Sequence, residues 1–367
     1  MISDFTQLGG AGTYLVNIVD QALSDSWDIV ILFDVNDEIK PLKNELVDKG
    51  VEVICKPLYH GHYPEEMIKE NTQIILDRYA PDLVHVICGS PRSAIISREV
   101  VCKNHIPLLF TETYVPYDFD MTEITRKRLQ HLYKSAFAVT TVCKGNVENL
   151  EHLIQLDMSN IHVIPSSVAH VRERQVSDVK RDKYKAIFIG RLVKQKGVDI
   201  LLEALNIMEK NYLERIHISI YGDGCEKDHL KCLADQYELN PYISFVGWCD
   251  NLEEELDQYD FAIVPSRDEG GLPFSILLLL SRAIPCIVSN TKGIQEATNG
   301  GAFARLFQLG NPQDLALSLK EFINDPKPLH RKAMNGISYI KENYLTDVNM
   351  KKVVRLWHAT VTKNEKV

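Results

Sequence analysis

Long apolar runs are missing from this sequence of 367 residues. The longest run, FSILLLL at 274–280, is far shorter than the roughly 18 residues that a membrane-spanning helix needs. An excess of positive charge is missing too, because the formal net charge at pH 7 is −9. Proteins organised around nucleic acid neutralise phosphates with a basic surface. We therefore expect neither a membrane-spanning protein nor a nucleic-acid partner.

Closely spaced cysteines are also absent. The eight cysteines occur singly, without a C-x-x-C pair, and most lie in apolar runs such as VHVICGS and IPCIVS. This pattern favours reduced, buried thiols and argues against a disulfide framework or a zinc site. No signal-peptide pattern opens the chain. We expect a cytoplasmic protein, at most attached peripherally to the inner face of a membrane.

What is present is a repeated alternation of strand-like and helix-like segments, which predicts an α/β fold. Runs rich in Val, Ile and Phe recur from DIVILFDV at 28–35 to IHVIPSSV at 161–168, separated by helical patterns such as 64–80. The alternation restarts with KAIFIG at 185–190 and continues to PCIVS at 285–289. Strands and helices at this spacing are typical of parallel sheets covered on both faces.

The polar, charged segment between the two arrays predicts a linker between two doubly wound domains that face a central cleft. We place an amino-terminal Rossmann-like domain at 1–168, the linker at 169–183 and a second Rossmann-like domain at 184–345. The amphipathic stretch 346–367 is predicted to return to the first domain. Only about three residues precede Asp4 for the first strand, so either that strand is short or the natural chain starts earlier.

The stretch GRLVKQKG at 190–197 predicts an anion site. Arg191 and Lys196 stand between a predicted strand and a predicted helix, flanked by glycines that allow close approach of the backbone. A guanidinium fork and an ammonium at such a turn suit a diphosphate. Taken alone, the pair could equally be two solvated surface cations.

A second turn, in VPSRDEGGLP at 264–273, carries Glu269 after a predicted buried strand. The backbone amides of Gly270, Gly271 and Leu272 would point toward the same cleft as Arg191 if the two preceding strands were parallel neighbours. Alone, this could be a helix start with a favourable carboxylate. Together with YGDG at 221–224, the two turns make a functional site the better interpretation.

The order and spacing of these pieces resemble the large family of retaining GT-B glycosyltransferases that includes sucrose synthase and bacterial mannosyltransferases, the glycosyltransferases of group 1. The resemblance runs through GRLVKQKG, YGDG, FVGW, VPSRDEGGLP, AIPCIVSNTKGIQE and GNPQDLALSL. It covers nearly the whole chain, because GGAGTYL and VIPSSV are similar to the family's amino-terminal glycine loop and interdomain crossover.

The resemblance implies a sugar transfer from a UDP- or GDP-linked donor, with retention and without a required metal or other cofactor. Arg191 and Lys196 would stabilise the departing diphosphate, and Glu269 would lie beside the donor sugar. The remaining implied donor-binding residues are Gly10, Gly12, Gly190, Gly222, Gly224, Trp248, Gly270, Gly271, Leu272, Pro273 and Leu277. The acceptor would be a saccharide, a lipid-linked molecule or a small molecule.

Two positions depart from the family pattern. Its second glutamate, a ribose ligand, is replaced by Leu277 or, in an alternative alignment, Leu278. The family's amino-domain histidine is replaced by Thr113. The Thr113 hydroxyl or the Glu112 carboxylate could substitute for that histidine. The alternative hypothesis is therefore a catalytically impaired homologue that serves as a subunit or chaperone. A sugar-nucleotide epimerase fits the motif order less well, and a nicotinamide oxidoreductase is disfavoured because no G-x-G-x-x-G follows the first strand.

Two further segments are ambiguous. His60 and His62 in YHGHYPEE suggest a metal site, but a plain surface loop is the better interpretation. The basic run at 125–134 is usually a solvated helix face, although in this fold it could rest on anionic lipid and bring the enzyme to a lipid-linked acceptor.

Overall fold

The chain divides into two compact units. The computed structural model describes residues 1–172, 181–249, 251–269 and 271–364. Unit 1 comprises Met1–Ser167, Gly270–Leu272 and Thr346–Val367, and unit 2 comprises Val168–Glu269 and Pro273–Leu345. Most of the predicted linker, residues 173–180, lies outside the described residues. The predicted domain limits stay a prediction.

Unit 1 is built on a parallel sheet that has seven strands within the described residues. Their order is β3-β2-β1-β4-β5-β6-β7, so the chain reverses its direction of strand addition between β1 and β4. The strands are β1 (Ile2–Ser3), β2 (Val30–Phe33), β3 (Glu52–Cys55), β4 (Val84–Cys88), β5 (Leu108–Glu112), β6 (Ala138–Thr141) and β7 (His162–Val163).

Helices connect these strands in the pattern of a doubly wound domain. They are α1 (Gly10–Ser24), α2 (Lys40–Asp48), α3 (Glu65–Tyr79), α4 (Ile95–Lys103), α5 (Glu123–Ser135) and α6 (Lys144–Ile154). Local chemistry sets some of the boundaries. The Thr122 hydroxyl accepts a hydrogen bond from the Thr125 amide at 3.2 Å and caps α5, whereas α3 ends at Ala80 in the left-handed region with φ 40°.

Unit 2 repeats the architecture with a parallel sheet of six strands in the order β10-β9-β8-β11-β12-β13. The strands are β8 (Tyr184–Ile189), β9 (Ile216–Tyr221), β10 (Ile243–Gly247), β11 (Phe261–Val264), β12 (Cys286–Ser289) and β13 (Arg305–Phe307). Its direction of strand addition reverses between β8 and β11, which is where open α/β sheets bind their ligands. The doubly wound α/β prediction is confirmed in both units.

The helices of unit 2 cover both faces of its sheet. They are α7 (Val198–Asn206), α8 (Lys210–Leu213), α9 (Lys227–Gln236), α10 (Leu252–Glu255), α11 (Phe274–Leu280), α12 (Lys292–Ala297), α13 (Pro312–Asn324) and α14 (Lys327–Asn343), with short 3₁₀ turns at Lys194–Lys196 and Leu256–Gln258. Because helices lie on both faces, all four residues of β11 and of β12 are buried. This explains the unbroken apolar runs of the sequence.

The last helix, α15 (Thr346–Asn364), packs against α1 within unit 1. Trp357 on α15 meets Trp27 edge to face, with ring centroids 5.4 Å apart. The Trp357 indole Nε1 also donates a hydrogen bond of 3.0 Å to Nδ1 of the buried His85 on β4. Trp357 thus fixes this helix to the segment that follows α1 and to the sheet.

All eight cysteines are free, as predicted, but they are not all buried. Cys88, Cys143 and Cys286 are buried, whereas Cys55, Cys225 and Cys232 are exposed. The prediction of buried thiols is therefore wrong for the exposed ones. The reason is position, because Cys55 ends the edge strand β3 and Cys232 lies on the solvent side of α9.

Candidate functional site

The two turns singled out in the sequence follow neighbouring strands of unit 2. β8 pairs directly with β11 in parallel, with Ala186 opposite Phe261 and Ile187 opposite Ala262. The carboxyl ends of parallel neighbours meet at one edge of the sheet. The turn at 190–197, after β8, and the turn at 265–269, after β11, therefore lie side by side at the point where strand addition reverses.

Lys196 and Glu269 meet across these two turns. The Lys196 Nζ lies 2.6 Å from the Glu269 Oε1, with side-chain exposures of 18% and 8%. The Ser266 hydroxyl donates to the same oxygen at 2.7 Å. Ser266 is itself fully buried, and its carbonyl accepts a hydrogen bond of 2.6 Å from the Ser289 hydroxyl at the end of β12. Two donors thus hold one oxygen of Glu269, Oε1.

Arg267 makes a second connection between the turn after β8 and the turn after β11. Its guanidinium grips Asp199, in the first turn of α7, through two parallel contacts: Nη1 to Oδ1 at 2.5 Å and Nη2 to Oδ2 at 2.7 Å. Its amide donates to the Gln195 carbonyl at 2.8 Å, and Nη1 donates to the Lys194 carbonyl at 3.1 Å. The sequence analysis missed Ser266, Arg267 and Asp199. The available signal was the opposite charge of Arg267, inside the second predicted turn, and Asp199, just after the first.

Arg191 lies in the turn after β8, and the backbone of the next residue is bonded to the turn that follows β9. Arg191 is half-buried, between Gly190 and Leu192. The Leu192 amide donates to the Asp223 carbonyl at 2.8 Å, and the Leu192 carbonyl accepts from the Glu226 amide at 2.9 Å. Backbone hydrogen bonds thus join the turn after β8, which carries Arg191 and Lys196, to the turn after β9 and to the turn that carries Glu269.

Gly222 and Gly224 let two of these turns touch through their backbones. Gly222 has φ +125°, and a Cβ there would lie 2.0 Å from the Gly190 carbonyl oxygen. A Cβ on Gly224 would lie 2.4 Å from the Leu192 carbonyl oxygen. The lack of space for a side chain explains why positions 222 and 224 are glycine. A donor-binding role for Gly190, Gly222 and Gly224 stays a prediction.

The predicted glycine turn of unit 1 is the start of α1. Gly10 is the first residue of the helix and is exposed, whereas Gly12 is buried and its amide donates to the Gly9 carbonyl at 2.9 Å. A Cβ on Gly12 would lie 3.2 Å from Cδ2 of Leu42 on α2. Close packing between α1 and α2 thus accounts for a small residue at position 12.

The remaining predicted donor-binding residues differ in accessibility. Trp248, after β10, is 59% exposed. Leu272 and Pro273 precede α11 and are buried together with Gly271, while Gly270 lies outside the described residues. The side chain of Leu277 has no accessible surface, and Leu278 is 6% exposed. The geometry therefore offers no support for Leu277 as a ligand, because no part of it reaches a surface.

The two candidates for replacing the family's histidine are already engaged within unit 1. The Thr113 hydroxyl donates to the Cys88 carbonyl at 2.8 Å. Glu112 is fully buried; it accepts a hydrogen bond of 2.7 Å from the Tyr133 hydroxyl and lies 3.5 Å from Nη1 of the buried Arg98. Burial raises the pKa of the Glu112 carboxyl. Glu112 is thus a core residue, and only Thr113 is half-exposed.

The basic run 125–134 lies on α5, and protein carboxylates already pair with part of it. Arg128 contacts Glu99 at 2.6 Å and Glu65 at 2.9 Å, while Arg126 contacts Glu123 at 2.6 Å. Lys127 and Lys134 are exposed. Among the helices that the structure describes, none is long and apolar enough to cross a membrane.

The histidine loop at 59–66 gives no metal centre. His60 Nε2 lies 3.5 Å from Glu65, and His62 packs edge to face on Tyr59. Within the described residues, no group of three or more His, Cys, Asp or Glu side chains is arranged to hold a metal ion.

Known glycosyltransferases resemble this chain. Residues 171–339 match the family model described as glycosyl transferases group 1. The chain is 25% identical over 346 residues to the UDP-Gal:α-D-GlcNAc-diphosphoundecaprenol α-1,3-galactosyltransferase of Escherichia coli, covering 84% of this chain and 86% of that one. Over 202 residues it is 24% identical to the N-acetylgalactosamine-N,N'-diacetylbacillosaminyl-diphospho-undecaprenol 4-α-N-acetylgalactosaminyltransferase of Campylobacter jejuni, covering 53% of each chain. Some matches, that one included, thus span only about half the length of the relative.

Solved structures give the same fold. Anabaena Alr3699/HepE, crystallised in complex with UDP, superposes with a TM-score of 0.80 at 14% identity and covers 98% of both chains. The two parallel-sheet units thus have the GT-B fold. The match to the group 1 glycosyltransferases covers the carboxyl-terminal part of the chain, residues 171–339.

Proposed function

We propose that this enzyme transfers a hexose-type sugar from a UDP- or GDP-linked donor to an acceptor, with retention at the anomeric carbon. The observation that carries the proposal is the convergence of Arg191, Lys196 and Glu269 on one edge of the unit 2 sheet, at the reversal between β8 and β11. Two cations and a carboxylate held by neighbouring backbones suit a diphosphate joined to a sugar.

In this proposal Lys196 and Arg191 stabilise the leaving group. As the glycosidic bond breaks, negative charge grows on the diphosphate, and cations that strengthen their contact toward that state lower the barrier. The Lys196 ammonium has three donors, so it can keep its 2.6 Å contact with Glu269 and still donate to a phosphate oxygen. Glu269, held through Oε1, would present Oε2 to the sugar, where positive charge develops.

For the acceptor, the names of two relatives favour a lipid-linked saccharide. Both the Escherichia coli and the Campylobacter jejuni proteins are named for acceptors linked through diphosphate to undecaprenol. Ile124 at the start of α5 is 74% exposed, next to the exposed Lys127. An apolar side chain beside cations suits the surface of an anionic membrane, so we propose α5 as a peripheral contact. Sedimentation with anionic and with neutral vesicles tests this contact, and equal binding to both would contradict it.

The donor is tested by incubating the purified protein with UDP-, GDP- and ADP-sugars and recording slow hydrolysis, with and without EDTA. We expect one uridine or guanosine donor to be hydrolysed, and the activity to survive EDTA because protein cations take the role of a metal. Arg191→Ala is the matched inactive control. Binding of a nucleotide without hydrolysis or transfer would favour the alternative, an impaired homologue that acts through a protein partner; no binding of any nucleotide would refute the donor proposal.

A further inference from the structure

The 3₁₀ turn that carries Lys196 has little support of its own. Lys194–Lys196 is a single short turn whose internal bonds are Lys196 N to Val193 O at 2.9 Å and Gly197 N to Lys194 O at 3.2 Å. Such turns have poorer hydrogen-bond geometry than α-helices. The placement of the Lys196 ammonium must therefore depend on what holds the turn from outside.

Arg267 and its neighbour supply that support. The Arg267 main chain and guanidinium bind the carbonyls of Gln195 and Lys194, and the Gln195 side chain donates to the Asp268 carbonyl at 3.0 Å. These bonds attach two of the three residues of the turn to the turn after β11. They leave the Lys196 side chain directed at Glu269.

Asp199 fixes the guanidinium that makes these contacts. Its two carboxylate oxygens accept hydrogen bonds from the two terminal nitrogens of Arg267. A lysine cannot reproduce this paired geometry, because its side chain carries a single nitrogen. The two side chains are 24% and 34% exposed, so water screens the pair only in part. Since Asp199 lies in the first turn of α7, the pair ties the turn after β11 to the helix that follows the Lys196 turn.

We propose that Arg267 and Asp199 are positioning residues for the donor diphosphate. They hold the Lys194–Lys196 turn so that the Lys196 ammonium meets the diphosphate at the required place, without touching the donor themselves. This inference rests on the proposed function, because it assigns the residues that make the diphosphate site effective. It predicts that loosening the pair weakens recognition of the phosphates and leaves recognition of the nucleoside intact.

The test compares Arg267→Lys and Asp199→Asn with the control Arg305→Lys. Arg305 lies in the same unit, on the edge strand β13, where it contacts Glu321 at 3.0 Å and donates to the Leu306 carbonyl. Calorimetric titrations use UDP and uridine, or GDP and guanosine if wild type prefers guanine. We expect both site variants to lose about tenfold in diphosphate affinity, which equals about 1.4 kcal/mol, and less than twofold in nucleoside affinity, with Arg305→Lys unchanged for both.

Three outcomes would overturn the inference: diphosphate affinity equal to that of Arg305→Lys, an equal loss for nucleoside and diphosphate, or a loss that appears only once the variants begin to unfold. Circular dichroism at the titration temperature shows whether the variants have begun to unfold. A failure of the proposed function looks different, because wild type itself would then bind neither UDP nor GDP. The kinetic readout should agree, with kcat reduced in Arg267→Lys even at saturating donor.

Discussion

At the residue scale, a substitution of Lys196 changes both its ion pair with Glu269 and its proposed contact with the diphosphate. Lys196 is the counter-ion of Glu269 at 2.6 Å and the proposed ligand of the diphosphate. Glu269 is only 8% exposed, so removing its partner leaves a nearly buried carboxylate without its charged donor. A loss of nucleotide binding in a Lys196 variant would therefore mix lost recognition with lost local structure.

Arg191 gives the cleaner test of the diphosphate site. We expect Arg191→Ala to weaken UDP or GDP binding by about tenfold to a hundredfold, the value of a charged hydrogen bond, while the free energy of unfolding changes by less than about 1 kcal/mol. Lys196→Ala should lose binding and also about 1–3 kcal/mol of stability. Thermal shifts with and without nucleotide measure both effects. If nucleotide still raised the melting temperature of the double variant as much as that of wild type, neither residue would belong to the diphosphate site.

The burial of Leu277 decides what a glutamate at this position would do. We expect Leu277→Glu to destabilise unit 2 by roughly 3–5 kcal/mol, because it places an unpaired charge where the wild-type side chain has no accessible surface. It should not tighten nucleotide binding. Leu277→Met, which keeps volume and polarity, should cost less than about 1.5 kcal/mol. Urea unfolding and UDP titration of both variants check this, and tighter binding by a stable Leu277→Glu protein would point instead to a decayed ribose site.

At the element scale, the site is made by turns that follow β8, β9 and β11, and glycine permits their contact. Gly222 has φ +125° and stands against the Gly190 carbonyl, whereas Gly310 has φ +69° with no heavy atom within 4 Å of a Cβ there. The two glycines share a left-handed backbone but differ in steric surroundings. Gly310→Ala therefore shows what a positive φ costs where no clash between turns is added.

We expect Gly222→Ala to destabilise unit 2 by more than about 2 kcal/mol and to weaken nucleotide binding strongly, because the turn after β9 must move away from Gly190. Gly310→Ala carries only the conformational cost, about 1 kcal/mol, with nucleotide affinity unchanged. Thermal melts and UDP titrations measure both variants. Equal effects of the two substitutions would show that the contact between the turns is unimportant.

The sequence pattern predicts those strands well whose residues are all buried. The runs that became β4, β5, β11 and β12 are buried throughout and were recognised as strands. β13 was not, because Arg305–Phe307 is three residues long with one fully buried side chain. Within the site, Arg191, Lys196 and Glu269 were predicted from their turns. The Arg267 pair with Asp199 was not, because a contact between residues 68 apart depends on strand order, which the pattern does not specify.

At the scale of the whole molecule, a buried histidine links the last helix to the centre of the unit 1 sheet. The Trp357 indole can only donate, so Nδ1 of His85 accepts, and the ring proton lies on Nε2, which donates to the Thr111 hydroxyl at 2.8 Å. Thr111 in turn lies 2.6 Å from the Thr140 hydroxyl. These bonds join α15, β4, β5 and β6 and require a neutral His85. Burial lowers the pKa of His85 to about 3.

This pKa predicts that the stability of unit 1 falls in acid. A histidine with a pKa near 6.5 when unfolded and about 3 when folded contributes stability above pH 6.5 that is lost as the pH falls toward 3. Between pH 7.5 and 5 the expected loss is about 2 kcal/mol. The buried Asp4 and Glu112, whose pKa values burial raises, act in the opposite direction. Wild type alone therefore does not isolate His85.

The His85→Gln variant separates the contributions, because glutamine can accept from Trp357 and donate to Thr111 but does not titrate in this range. We expect the difference in unfolding free energy between wild type and His85→Gln to shrink by about 2 kcal/mol from pH 7.5 to 5. His358→Gln, whose wild-type side chain is 57% exposed, is the control and should follow wild type at every pH. Urea unfolding at half-unit pH steps gives the comparison. A difference that stays constant with pH would mean that His85 titrates alike in the folded and unfolded chains, and would refute its neutral role at the junction of α15 with the sheet.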